Sequence, residues 1–293
     1  MATKPLQHVT IVGVGLLGGS AGLALKADNP SIRIAGVGRR QASLDRALAA
    51  GAIDTAHLDA AEAVGRTDLV LLATPVGAFE RHLRAIAPAL RRGAIVTDVG
   101  STKAGVVRAA GRTLGHERFV GSHPMAGSEQ KGVSFARADL FAGATCILTP
   151  TSKTPARVTR RVEALWRRMG MRTLRTTPAA HDRAVARVSH LPHAVAALLM
   201  RLPGRRELDV SATGFRDATR LASGDPEMWR DIFLTNRKQV LAALDDFDEA
   251  LMALRDLVEI GEPKAIERFF AAAKKRRDAT ILRRITDRRV SAE

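Results

Sequence analysis

Through roughly the first 175 residues, short apolar runs alternate with amphipathic stretches. Residues 8–12, 32–37, 68–73 and 94–98 read as strands. Residues 16–27, 41–50, 76–90 and 102–114 read as helices. The run Leu69-Val70-Leu71-Leu72 shows no polar alternation, as expected of a strand buried on both faces. A short strand at 119–121, a strand at 145–149, a helix at 155–169 and a strand at 173–175 continue the pattern. Strands alternating with helices predict a parallel sheet covered on both sides. After Pro178 the strand signals stop, and 180–201, 217–222, 226–258 and 263–284 all read as helices, punctuated by Gly204 and by Gly261-Glu262-Pro263. The expected fold is α/β, a Rossmann-type doubly wound sheet over residues 1–177 followed by an all-helical domain over 178–293.

The first strand runs into Gly13-Val14-Gly15-Leu16-Leu17-Gly18, a G-x-G-x-x-G pattern that also opens the first helix. In that context Gly13 makes the tight turn, Gly15 lets the backbone approach a pyrophosphate, and Gly18 lets the helix pack on the strand. Leu16 and Leu17 then lie at the helix N-terminus, whose free N–H groups favour an anion. An acid at the end of the second strand would bind the ribose 2′-hydroxyl of NAD. This chain has Gly38-Arg39-Arg40 there instead, so NADP is favoured over NAD, with Arg39 and Arg40 pairing to the 2′-phosphate. Thr74 and Pro75 sit at the carboxyl end of the 68–73 strand, the ligand edge of such sheets.

Composition narrows the alternatives. The 293 residues are 46% apolar and 26% charged, enough for a packed core. No apolar run reaches the ~18–20 residues of a membrane span, and the glycines among residues 13–22 argue against a secretory leader. With a lone Cys146, the expectation is a soluble, cytoplasmic protein. The net charge of +16 raises the question of nucleic acid, but aromatic residues are 4% with no tyrosine, and no finger or RNA-recognition spacing occurs. The segment 264–289 carries ten basic against three acidic residues and reads as a solvated helical face. A second reading is that the surplus charge helps attract a small anionic molecule; neither specific nucleic acid nor membrane is expected as a partner.

Three polar clusters remain. Asp98-Val99-Gly100-Ser101-Thr102-Lys103 lies at a strand end, where Ser101 or Thr102 either caps the next helix or meets a ligand. Gly121-Ser122-His123-Pro124-Met125-Ala126-Gly127-Ser128-Glu129 reads as a loop carrying His123 between glycines. His181-Asp182 precedes Ser189-His190-Leu191-Pro192-His193; on a helix, Asp182, Ser189 and His193 fall on nearby faces, and Pro192 disturbs the helix. The His190/His193 spacing lacks a third convergent ligand, so no metal is expected, and no G-x-S-x-G elbow supports a serine hydrolase.

Together with Ala73-Thr74-Pro75-Val76, the stretch 214–220 (Gly214-Phe215-Arg216-Asp217-Ala218-Thr219-Arg220) and Asp225-Pro226-Glu227-Met228-Trp229, these motifs resemble the prephenate/arogenate dehydrogenase family of tyrosine biosynthesis, from about His8 to about Leu257. The resemblance implies a homodimer made through the helical domain and an NAD(P)-dependent oxidative decarboxylation of prephenate to 4-hydroxyphenylpyruvate. Arogenate oxidation to tyrosine, turnover of an amino-substituted analogue in antibiotic synthesis, and a non-catalytic nucleotide-sensing relative are the alternatives. It further implies that His123 is the catalytic histidine, titrating near neutrality, and that Ser101 orients it. Arg220 would bind a substrate carboxylate, with His193, Ser189, Thr213 and Trp229 lining the pocket and Asp182 and Asp217 supporting it. Neither a chorismate mutase nor an ACT segment flanks these motifs, so feedback through an ACT domain is not expected.

Overall fold

The computed structural model describes residues 6–128 and 130–290, so Glu129 of the His123 motif lies outside the described residues. The chain divides into two compact units, residues 1–240 and 241–293.

The first unit is built on five parallel strands: β1 (His8–Val12), β2 (Arg33–Val37), β3 (Thr55–His57), β4 (Leu69–Leu72) and β5 (Ile95–Asp98), in the order β3-β2-β1-β4-β5. Helices α1 (Leu16–Asp28), α2 (Gln41–Ala49), α3 (Ala60–Ala63), α4 (Phe79–Ile86) and α5 (Ala104–Thr113) connect or follow them. The apolar run of β4 shows why the sheet is double-sided. Leu69 and Leu71 join one core with Ile11, Leu25, Ile34 and Trp166; Val70 and Leu72 join the other with Phe79, Leu83 and Val96. Successive side chains of a strand point to opposite faces, so an unbroken apolar run needs a cover on each. The strand order reverses at β1, and the crevice beyond the carboxyl ends of β1 and β4 is the ligand edge.

A second, three-stranded sheet follows: β6 (Gly121–Pro124), β7 (Thr145–Thr149) and, after α6 (Ala156–Arg168), β8 (Arg172–Arg175). Here the expectation of one parallel sheet fails, because β6 runs antiparallel to β7. The expected strand at 119–121 is only a bridge from Phe119 to Val96, and the true strand begins at Gly121. His123 is therefore a strand residue paired with Ile147. β3 and α3 were not anticipated; at three and four residues they are too short for a periodic signal.

The same unit continues with α7 (Pro178–Val185), α8 (Leu191–Arg201), α9 (Arg205–Leu208), α10 (Thr213–Thr219) and α11 (Pro226–Thr235). The helix expected at 180–201 is interrupted by one π turn, Ala186–His190, where the Leu191 N–H reaches back to the Ala186 carbonyl. Pro192 follows directly; it lacks an N–H and its ring crowds the carbonyl four residues earlier, so the ladder widens there. The helix expected at 226–258 breaks at Asn236 before α12 (Arg237–Ile260). Most of α12 and all of α13 (Pro263–Val290) form the second unit, where Leu251, Val258, Ile260 and Phe270 stand exposed. No described helix is long and apolar enough to cross a membrane.

Gly13 and Gly18 divide the work of the first turn. Gly13 has φ of 102°, a left-handed value that favours glycine, and a Cβ on Gly18 would lie 2.0 Å from the Gly13 carbonyl oxygen. Above Gly15 nothing lies within 4 Å. Gly18→Ala is expected to lower unfolding stability by about 1–3 kcal/mol, whereas Gly15→Ala, with open space above it but at the helix N-cap, should cost less, about 0.5–1 kcal/mol. Urea unfolding of the two variants side by side checks this; equal effects would contradict it.

Candidate active site

The nucleotide edge is assembled from β1, α1 and β4. Gly15 is the N-cap of α1, which has no side-chain cap and no acid in its first turn, so the first N–H groups, from Leu16 and Leu17 onward, are open to an anion. Across the crevice, Thr74 Oγ1 is buried without a hydrogen-bond partner among the described residues, and Pro75 opens the turn before α4. An uncapped helix end, open space over Gly15 and an orphaned hydroxyl fit the pyrophosphate of a nicotinamide dinucleotide. Arg39 and Arg40 are exposed just beyond β2, and no ion pair occupies either of them among the described residues. Arg39 lies close enough to α4 that its charge, with that of Arg81, adds to burial in holding His82 below the usual histidine range.

At the end of β5, Asp98 and Lys103 form an ion pair with both side chains fully buried. Lys103 Nζ also donates to the Ser122 carbonyl at 2.9 Å. Asp98 accepts from the Ser122 and Gly100 N–H groups, each at 2.9 Å. Burial pushes the Asp98 carboxyl up; Lys103 and these N–H groups pull it back. The pair thus clamps the strand residue next to His123. Two opposite charges flanking a turn at the end of a buried strand are the sequence signal for this pair, which the motif alone does not reveal.

The capping expectation is corrected here. Neither Ser101 nor Thr102 caps α5. The N–H groups of Lys103 and Ala104 donate instead to Asp182 Oδ1 and Oδ2, at 2.7 and 2.8 Å. Thr102 Oγ1 meets Thr235 Oγ1 of α11 at 2.9 Å. Ser101 is half-buried in the same turn, and no protein group bonds its hydroxyl among the described residues.

His123 is half-buried on β6. Its Nδ1 lies 2.9 Å from His181 Nε2, and His181 Nδ1 lies 2.8 Å from Asp182 Oδ1. His123 Nε2 makes no protein hydrogen bond among the described residues and keeps access to solvent. Burial first, then His181, Lys103 and His190, holds the His123 imidazole well below its ordinary range, so the expectation of titration near neutrality does not hold in this structure. His181 is also lowered, chiefly by burial and against the pull of Asp182. His190 is pushed down to about 4, again by burial.

A second group stands on α8, α10 and α11. His193 stacks at a tilt on Trp229, ring centroids 3.8 Å apart, and its Nδ1 donates to the Ser189 carbonyl at 2.9 Å. His190 meets the same indole edge-on at 6.0 Å. Trp229 Nε1 is buried without a hydrogen-bond partner among the described residues and lies over Gly224, where a Cβ would come within 2.3 Å of it. The Arg220 guanidinium, on an exposed residue, is near enough to help lower His193. Ser189 thus enters through its carbonyl. Thr213 is exposed at the start of α10 and makes no hydrogen bond to the others among the described residues, and Asp217 is likewise exposed. The structure therefore brings together His123, His181, Asp182 and the Asp98–Lys103 clamp, and separately His193, Trp229, Ser189 and Arg220.

Comparison with known proteins gives one answer. Residues 21–175 match the family described as prephenate dehydrogenase, nucleotide-binding domain, and residues 177–275 match prephenate dehydrogenase, dimerization domain. The cyclohexadienyl dehydrogenase of Zymomonas mobilis is 35% identical over 92% of this chain and 95% of its own. The prephenate dehydrogenase of Bacillus subtilis is 36% identical over 94% of this chain and 76% of its own. The crystal structure of A. aeolicus prephenate dehydrogenase in complex with hydroxyphenyl propionate and NAD+ superposes with a TM-score of 0.89 at 33% identity, covering 95% of this chain and all of that one.

The buried ion pair yields a stability test. Lys103→Met leaves Asp98 uncompensated and is expected to cost about 3–5 kcal/mol. Adding Asp98→Asn should recover most of that loss in urea unfolding. A single variant as stable as the parent would contradict the clamp.

Proposed function

The chain belongs to the prephenate dehydrogenase family, and we propose that it catalyses the oxidative decarboxylation of prephenate to 4-hydroxyphenylpyruvate with NADP. It is a dehydrogenase that uses a nicotinamide cofactor. The observation that carries the reading is His123: an imidazole fixed on a strand, its pKa lowered by burial, with Nε2 free of protein hydrogen bonds among the described residues.

In the proposed reaction His123 Nε2 accepts the proton of the ring hydroxyl. Ser101, in the turn after β5, orients that hydroxyl. Arg220 grips a substrate carboxylate with its planar fork, and His193, Ser189, Thr213 and Trp229 surround the remainder. The bound nicotinamide supplies the acceptor for the hydride that leaves the hydroxyl-bearing carbon, while the ring carboxylate departs as CO2. Aromatisation drives the step, so the protein's main task is to position and deprotonate. Gly13, Gly15, Leu16, Leu17, Gly18, Thr74 and Pro75 hold the dinucleotide, and Arg39 and Arg40 pair with its 2′-phosphate. A nucleotide-binding region to residue 177, a helical region from 178, a homodimer and a cytoplasmic location complete the proposal.

Steady-state turnover of prephenate and of arogenate, each with NADP and NAD, tests the assignment. Prephenate with NADP should give the highest kcat/KM; turnover of arogenate alone would overturn the substrate. His123→Asn should cut kcat by about 10²–10⁴-fold with NADP affinity retained; unchanged turnover would remove His123 from its role. Arg39→Ser, losing a charge-assisted bond of about 1.5–3 kcal/mol, should weaken NADP by roughly 10- to 100-fold and NAD far less. Equal weakening of both would place the 2′-phosphate elsewhere.

A further inference from the structure

The orientation of three side chains settles where protons sit. Asp182 accepts the Lys103 and Ala104 N–H groups, one on each carboxylate oxygen, and its own carbonyl accepts from Asn236 Nδ2 at 2.9 Å. Those two N–H donors hold the Asp182 carboxyl below its usual range against burial and so favour the carboxylate, to which the facing His181 Nδ1 then donates its hydrogen. Neutral His181 then has its lone pair on Nε2. A contact of 2.9 Å between two ring nitrogens needs one hydrogen, and it can come only from His123 Nδ1. The lone pair of His123 is left on Nε2, the open nitrogen. A neutral histidine alone in solution has no such fixed choice.

We propose that His181 and Asp182 are positioning residues that hold His123 as its Nδ1–H tautomer, so that Nε2 is a lone pair ready for a proton. This rests on His123 being the base. As Nε2 takes the proton, Nδ1 becomes a stronger donor to His181, and His181 in turn to Asp182. The positive charge formed on His123 is stabilised through that row without any net proton leaving it. Because Asp182 also caps α5, it sets the base and the turn carrying Ser101 from one carboxylate.

The pH profile is a useful readout because the charged neighbours are few. His123 faces His181 on α7, Lys103 before α5, His190 in the π turn and Cys146 on β7, with Asp182 and Asp98 behind them. Burial pushes the Cys146 thiol up, out of the range where it would titrate beside the base. Removing the acceptor from His123 Nδ1 leaves its cation less stabilised, so the acid limb of kcat/KM should move to lower pH while the plateau falls.

Three measurements test the proposal. His181→Leu should lower kcat by about 10- to 100-fold, a part of what general-base catalysis supplies, with KM nearly unchanged and the acid limb shifted down. His181→Gln, whose amide oxygen can accept the same N–H, should restore part of kcat and return the limb toward that of the parent. A limb that stays put or moves up, or a loss in KM alone, would overturn the proposal. Should His181→Leu fail to fold, ¹⁵N-histidine spectra of the unmodified protein decide: the His123 ring, assigned by its disappearance in His123→Asn, should show a protonated Nδ1 and an unprotonated Nε2. The reverse pattern would overturn the relay. Inactive His123→Asn beside fully active His181→Leu would reject the relay alone; active His123→Asn would reject the base itself.

Discussion

One carboxylate organises this site. Asp182, on the first helix after the sheets, closes two N–H groups at the start of α5 and holds His181 against His123. It is almost fully buried, and a buried charge is tolerable only when such bonds surround it. These bonds also lower its pKa despite the opposing effect of burial. Its loss would uncap a helix, free an imidazole and strand the backbone of the turn that carries Ser101.

The second organising feature is a row of imidazoles kept neutral. His123, His181 and His190 all lie below the ordinary range, with desolvation the leading cause in each. A buried lysine nearby reinforces the effect on His123 and His181. The arrangement exchanges basicity for availability. A histidine of depressed pKa is a weaker base but spends less of its time already protonated, and the proposed relay behind it would offset part of the lost basicity. The Asp98–Lys103 pair belongs to the same design, since it fixes the backbone of Ser122 and places the cation beside the base.

What could be read along the chain was what is local. The strand, glycine turn and helix of residues 8–28 follow from spacing alone, and the unbroken apolar run of β4 identified a doubly covered sheet. The family resemblance rested on similarly contiguous motifs. What escaped depends on distant partners. β6 looked like a loop because His123-Pro124 lies between glycines; its ladder comes from β7, more than twenty residues later. Ser101 and Thr102 are the local candidates to cap α5, yet the acceptor is 79 residues away from Lys103. His181 was visible beside Asp182, but its role exists only once β6 and α7 are brought together.

In the proposed complex His123 Nε2 meets the reacting hydroxyl while Arg220 meets a carboxylate of the same molecule. A crystal structure with NADP and a phenolic product-like acid tests it most directly. The phenolic oxygen is expected about 2.6–3.2 Å from His123 Nε2, with the acid's carboxylate against the Arg220 guanidinium. A phenolic oxygen bonded elsewhere, with Nε2 turned away from it, would contradict the account.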